Sequence, residues 1–103
     1  MSNKLEIPKS FQLFGTTVNV VFNNNSLNQQ SAVGTSEWVQ SRITLTDVHK
    51  GEKVSEEVID DTYYHEKVHI ILDAMGKHNL SRDEEFVNVF SRLLRQSDVT
   101  AKY

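Results

Sequence analysis

The chain has 103 residues, eleven basic against fourteen acidic and a formal charge of −3, so a single compact domain spanning 1–103 is expected and no general attraction for nucleic acid or an anionic membrane. Cysteine is absent, which excludes disulfides and thiolate metal sites and leaves histidine and carboxylate as the strong metal ligands. Met1 to Pro8 lacks the apolar segment of a signal peptide, and no run approaches the roughly 18 apolar residues of a membrane span, so a cytoplasmic protein without a membrane partner is expected.

In chain order, Phe11–Phe14 and Thr17–Phe22 are rich in aromatic and β-branched residues and read as strands, with a hairpin or tight bend at Gly15-Thr16. Asn23 to Ser31 is an Asn/Gln/Ser loop with little to bury. Ser36 to Thr46 alternates, with Val39, Ile43 and Leu45 on one side and Trp38, Gln40, Arg42 and Thr44 on the other, as a half-buried strand does. His49 to Lys53 is a charged turn.

The second half reads as two helices. The first starts at the N-cap Ser55, with Glu56 and Glu57 in its first turn, and runs to Met75 with Gly76 as its stop. Its later turns are apolar almost all round, as in a helix enclosed by other elements. Ser81 is the expected N-cap of the second helix, whose stripe of Phe86, Val87, Val89, Phe90, Leu93 and Leu94 faces away from Glu84, Asn88, Ser91 and Arg95. The fold class expected is α+β: a small antiparallel or mixed sheet of about three strands packed on two C-terminal helices.

Within the enclosed helix, His65-Glu66-Lys67-Val68-His69 spells HExxH. Residues four apart on a helix differ by about 40° around the axis, so His65 and His69 can aim two imidazoles at one zinc ion. Glu66 projects from an adjacent face, where it can reach a zinc-bound water and act as general base, the metal lowering the pKa of that water towards about 7. A chance HExxH in a chain of this composition is expected at a rate on the order of one per cent, and buried imidazoles are costly unless paired or metal-bound.

A catalytic zinc takes three protein ligands and keeps one position open. The metzincin extension requires Gly and His where this chain has Leu72 and Met75. Asp73 is two turns, about 12 Å, from His65 and too far for one coordination sphere. Glu84 is the first candidate for the third ligand, with Asn88 one turn later to orient a histidine; Glu85 and His78 are the alternatives. Against Glu84 stands the capping box Ser81-Arg82-Asp83-Glu84, in which its carboxylate would bond the backbone of Ser81.

HEKVH followed by a helix bearing Glu84-Glu85-Phe86-Val87-Asn88 resembles the gluzincin pattern of zinc metallopeptidases. The layout IPKSFQLFG, SEWVQSRITL, HEKVH, LDAMG and DEEFVNVFSRLL is similar to that of short phage- and prophage-encoded metallopeptidases. The resemblance implies a minimal zincin-like domain with His65, His69 and Glu84 as zinc ligands and Glu66 as catalytic base. It would hydrolyse a peptide bond in a protein or peptide substrate, in the host cytoplasm if phage-encoded. It also implies that the strand Ser36–Thr46 borders the cleft and pairs with an extended peptide. The zincin consensus keeps the two central positions of the motif uncharged, whereas position 67 is Lys; near Asp60 on the helix face, it is expected to point to solvent. Tyr63 and Tyr64 are candidates for an oxyanion donor or for the core, Trp38 for a cleft wall or a sheet cover, and His49 for the surface. The alternative functions are a non-catalytic, zinc-stabilised interaction or regulatory domain of phage origin and a metal-free interaction module.

Overall fold

A computed structural model describes residues 7–24 and 33–103 of the chain. The fold is α+β, as the sequence leads one to expect, with a sheet of four strands ordered β1-β2-β4-β3. Its strands are β1 (Ser10–Leu13), β2 (Thr16–Phe22), β3 (Gly34–Glu37) and β4 (Arg42–Leu45). A separate hairpin follows, β5 (Val48–His49) and β6 (Glu52–Lys53), and then helices α1 (Glu56–Ala74), α2 (His78–Ser81) and α3 (Glu84–Thr100). The loop expected over 23–31 lies mostly outside the described residues.

The β1–β2 hairpin turns on Phe14 and Gly15, which both take positive φ, 52° and 75°. That pair of left-handed residues matches the twist of the flanking strands, and it moves Phe14 from the expected strand into the turn, where it is exposed. The charged segment at His49–Lys53 is a second hairpin built the same way on Lys50 and Gly51, and it leaves His49 half-buried.

The single strand expected over Ser36–Thr46 is two. Ser41 takes φ 52° and its amide donates to the Trp38 carbonyl at 2.9 Å, reversing the chain between β3 and β4. Val39 therefore sits on the turn at 97% exposure instead of facing inward, and Trp38 leans on the core from the partly buried rim. Ile43 and Leu45 do face inward, as the alternation predicts. The consequence for the site is topological: β4 pairs parallel with β2 in the sheet interior and β3 becomes the edge.

Val18, Val20, Ile43 and Leu45 from the two central strands meet Tyr63, Tyr64 and Ile70 of α1 in the main core. Each fully buried aliphatic side chain there contributes about 1.5–3 kcal/mol. A second apolar cluster, Val68, Leu72 and Val87, joins α1 to α3. Helix α1 is thus covered by the sheet on one side and by α3 on the other, in keeping with its apolar circumference. Ser55 caps it by accepting from the Val58 amide at 3.2 Å. At the other end Gly76, at φ 76°, lets the Lys77 amide reach the Leu72 carbonyl at 2.8 Å.

Tyr63 and Tyr64 belong to this core. The Tyr64 hydroxyl donates to Asp98 Oδ2 at 2.7 Å and so ties α1 to the end of α3. Burial, with the Asp98 charge in support, pushes the Tyr63 phenol up to about 12 and raises that of Tyr64 as well. Lys67 does not run to solvent: its Nζ lies 5.1 Å from the Phe11 ring centre and 5.6 Å from that of Tyr63, a cation placed over aromatic faces. Its charge is spent on β1 and the core, away from the two histidines.

The second helix expected from the sequence starts three residues later than Ser81. Asp83 is its cap, accepting from the Phe86 amide at 3.1 Å, and Ser81 closes the short α2. Orientation differs too. Of the expected inward stripe, Val87 is buried and Leu94 packs against the core, while Val89, Phe90 and Leu93 are exposed. Arg95, placed by the pattern on the outer face, instead reaches back to α1, 3.3 Å from Asp61 and 3.7 Å from buried Asp60. Polar tethers act beside Val87 and Leu94 in setting how α3 faces α1.

Candidate metal centre

Three side chains from two helices converge. His65 Nε2 and His69 Nε2 are 3.1 Å apart, one turn from each other on α1. Glu84, the first residue of α3, sets Oε2 at 3.3 Å from His65 Nε2 and Oε1 at 3.2 Å from His69 Nε2. Among the described residues this is the grouping of His and carboxylate donors able to hold a metal ion. The spacing can be tested against a tetrahedral ion: for bonds of about 2.0–2.1 Å the ligand–ligand edges are about 3.3–3.4 Å. The two imidazole nitrogens, 3.1 Å apart, are close to that edge length, and the Glu84 carboxylate approaches each of them through a different oxygen, so one ligand atom from each of the three residues lies within 4.8 Å of the others. The fit is also chemical, because two imidazoles and a carboxylate are a zinc donor set.

The choice of Asp83 as cap explains why Glu84 is available. With the helix starting at Asp83, Glu84 is its first residue and not the third, so the Ser81–Glu84 capping box does not form. The other candidates do not join this cluster. Glu85 borders an apolar groove on the outer side of α3 with Phe86 and Val89. His78 Nδ1 is 3.3 Å from Asp73 Oδ1 on an exposed rim.

Ser81 has a role that its reading as a cap concealed. Its hydroxyl donates to the His69 backbone carbonyl at 3.4 Å, and the same oxygen stands 3.1 Å from His69 Nδ1. With the hydroxyl proton so used, Ser81 Oγ is free to accept from Nδ1–H, the tautomer that would leave Nε2 of His69 with its lone pair for a metal ion. Ser81 is itself buried. Removing such a support from a metal-bound histidine costs about 10–100-fold in affinity, so, if zinc is held here, Ser81→Ala is expected to weaken its binding by that factor, measured by competition with a chromophoric chelator. Asn88, expected to orient a histidine, borders a cavity beside His65 and Glu66 together with Ser91 and Arg92.

Glu66 is buried against the inner side of β3 at 9% exposure. Burial raises its carboxyl above the usual carboxylate range; the neighbouring His65 and His69 and a hydrogen bond from the Ser36 hydroxyl oppose that rise without cancelling it. Gly34 makes the close approach of helix and strand possible. A Cβ there would lie 2.4 Å from Thr62 Cγ2 and 3.3 Å from Glu66 Cγ, so no side chain fits between β3 and α1. Gly34 does not stand out in the sequence as part of a site, and Ser36 enters there only as the first residue of the strand expected to border the cleft, since the role of each depends on β3 lying beside the helix.

Two hollows flank the centre and share Gly34 and Glu66. One follows edge strand β3 past Thr35 and Ser36 to His69, Ser81 and Glu84, and the other runs towards Asn88 and Arg92 on α3. No protein-family model, no curated protein and no solved structure matches the chain. Among the described residues, no helix is long and apolar enough to cross a membrane.

Proposed function

We propose that the chain is a zinc-dependent metallopeptidase of the HExxH, gluzincin-like type, with His65, His69 and Glu84 holding the metal and Glu66 as general base. The observation that carries this reading is the convergence of two imidazoles and a carboxylate, one ligand atom from each within 4.8 Å of the others, with the buried Glu66 carboxylate beside them. Zinc, when bound, supplies Lewis acidity towards a carbonyl oxygen and acidifies water. Glu66 takes the proton of the attacking water and passes it to the departing amine nitrogen. Its raised proton affinity favours the first transfer, and the Ser36 hydroxyl holds the carboxylate towards the cleft. Edge strand β3 has backbone groups on its outer side to align an extended peptide, which supports a protein or peptide as the substrate class.

The donor set argues for hydrolysis over a purely stabilising metal. Among the described residues the cluster holds three ligands and no fourth, and an open position is what separates catalytic from structural zinc. The test is zinc stoichiometry by metal analysis, followed by incubation of the zinc-loaded protein with a proteome-derived peptide library and mass spectrometry of new termini. One zinc per chain with new termini that disappear on chelation is the expected result. Zinc without cleavage would assign the metal to stability, and protein that takes up no zinc would overturn the metal reading itself.

A further inference from the structure

Helix α3 meets α1 through Val87, Leu94 and Arg95 and leaves a second apolar face exposed. Val89, Phe90 and Leu93 are 55%, 48% and 61% exposed, and Phe86 is half-buried beside them, its ring 5.6 Å from that of Phe90. Positions 86, 89, 90 and 93 follow the i, i+3, i+4, i+7 spacing of a helix-packing seam. A second helix with the same spacing can bury a seam of this kind.

The charges beside the seam select which helix. On one flank, Val87 and Leu94 already pack inside the protein, so that flank is closed to a partner. On the other flank stand Glu85 and Arg92, seven residues apart and hence at equivalent positions around the axis. Both are exposed, and neither forms an ion pair among the described residues. When two helices pack antiparallel about a two-fold axis, the same flank of each faces the other, so Glu85 meets Arg92 of a second copy and Arg92 meets its Glu85. In a parallel pair the open flank would face the closed one. The midpoint of Glu85 and Arg92 and the midpoint of Phe86 and Leu93 differ by one residue, about 1.5 Å along the axis, so one symmetry axis serves both the apolar and the charged contacts.

We infer that the Phe86–Leu93 face of α3 seats a second copy of this chain, its α3 antiparallel across a two-fold axis near Val89. Glu84 projects from the opposite side of the same helix, so the dimer leaves the candidate metal centre and the hollow along β3 open, while Arg92 borders both the dimer flank and the second hollow. The inference stands independently of the metallopeptidase reading. Four side chains per copy make a small interface, so the dimer is expected to form in the micromolar range.

Sedimentation velocity from about 1 to 200 µM brackets that range, and the mass is expected to rise to that of a dimer. Phe90→Glu is expected to give a monomer at all of these concentrations with an unchanged circular dichroism spectrum. Glu85→Arg and Arg92→Glu should each raise the dissociation constant about tenfold or more by opposing like charges, and the double exchange should return it to the parent value. The charge variants keep the test valid if Phe90→Glu does not fold. A chain that stays monomeric throughout overturns the proposal, even if another protein binds the face. So does a double exchange no better than the single ones.

Discussion

Glu66→Gln is expected to lower peptide hydrolysis by about 10²–10⁴-fold, the usual contribution of a general base, while the protein still binds one zinc per chain. Glutamine keeps the shape that fills the space beside Gly34 and can still accept from Ser36, but it cannot take a proton. Glu84→Ala removes one of the three converging donors. Loss of a supporting hydrogen bond already costs about 10–100-fold in metal affinity, so loss of a ligand should exceed about 100-fold, and hydrolysis should fall with it. Glu85→Gln, one residue further on and turned to the outer groove, should change neither. Steady-state cleavage of a fluorogenic peptide and zinc competition titration, run on the same three variants, separate base from ligand. Equal loss of zinc in Glu66→Gln would place Glu66 in the coordination sphere and overturn its assignment as base. Unchanged zinc affinity in Glu84→Ala would remove it as third ligand.

The parts of this arrangement legible in the sequence are those governed by local rules. The spacing of His65 and His69 is a property of one helix, Ser55 and Gly76 mark that helix by their own backbone preferences, and its apolar circumference announces enclosure. Glu84 was legible as a candidate ligand because a short connection brings the start of α3 back to α1. What the residues alone concealed depends on competition between distant groups. Ser81 is a good N-cap in isolation, but His69 takes its hydroxyl, and Asp83, two residues later, caps α3 instead. The stripe Phe86–Leu94 predicts which face of α3 turns inward, yet Arg95 with Asp60 and Asp61, and Tyr64 with Asp98, rotate half of it to the outside. Alternation through Ser36–Thr46 reads as one strand because no Gly or Pro marks the reversal; Ser41 supplies the positive φ there. Gly34 carries no motif at all, and only the paired strand reveals what its missing side chain permits.

Gly34→Ala is therefore the substitution outside the metal centre with the largest expected cost. The added Cβ would stand 2.4 Å from Thr62 Cγ2, with Glu66 Cγ at 3.3 Å and Leu45 Cδ2 at 3.4 Å behind it. Thr62 cannot swing its methyl away freely, because its hydroxyl donates to the Val58 carbonyl at 2.6 Å in the same helix. Helix α1 must then retreat from β3, a form of overpacking that costs about 1–3 kcal/mol and lowers the melting temperature by roughly 5–20 °C in a domain of this size. The retreat carries Glu66 away from Ser36 and the edge strand, so hydrolysis should fall further than stability alone would require. Zinc affinity should change less, since all three donors lie on α1 and α3 and move together. Thr62→Ser deletes the opposing methyl and keeps the hydroxyl bond, so the double variant is expected to recover most of the melting temperature and of the activity. A Gly34→Ala protein that melts like the parent would show that β3 and α1 do not meet this closely, and with that the placement of Glu66 against the edge strand would fail as well.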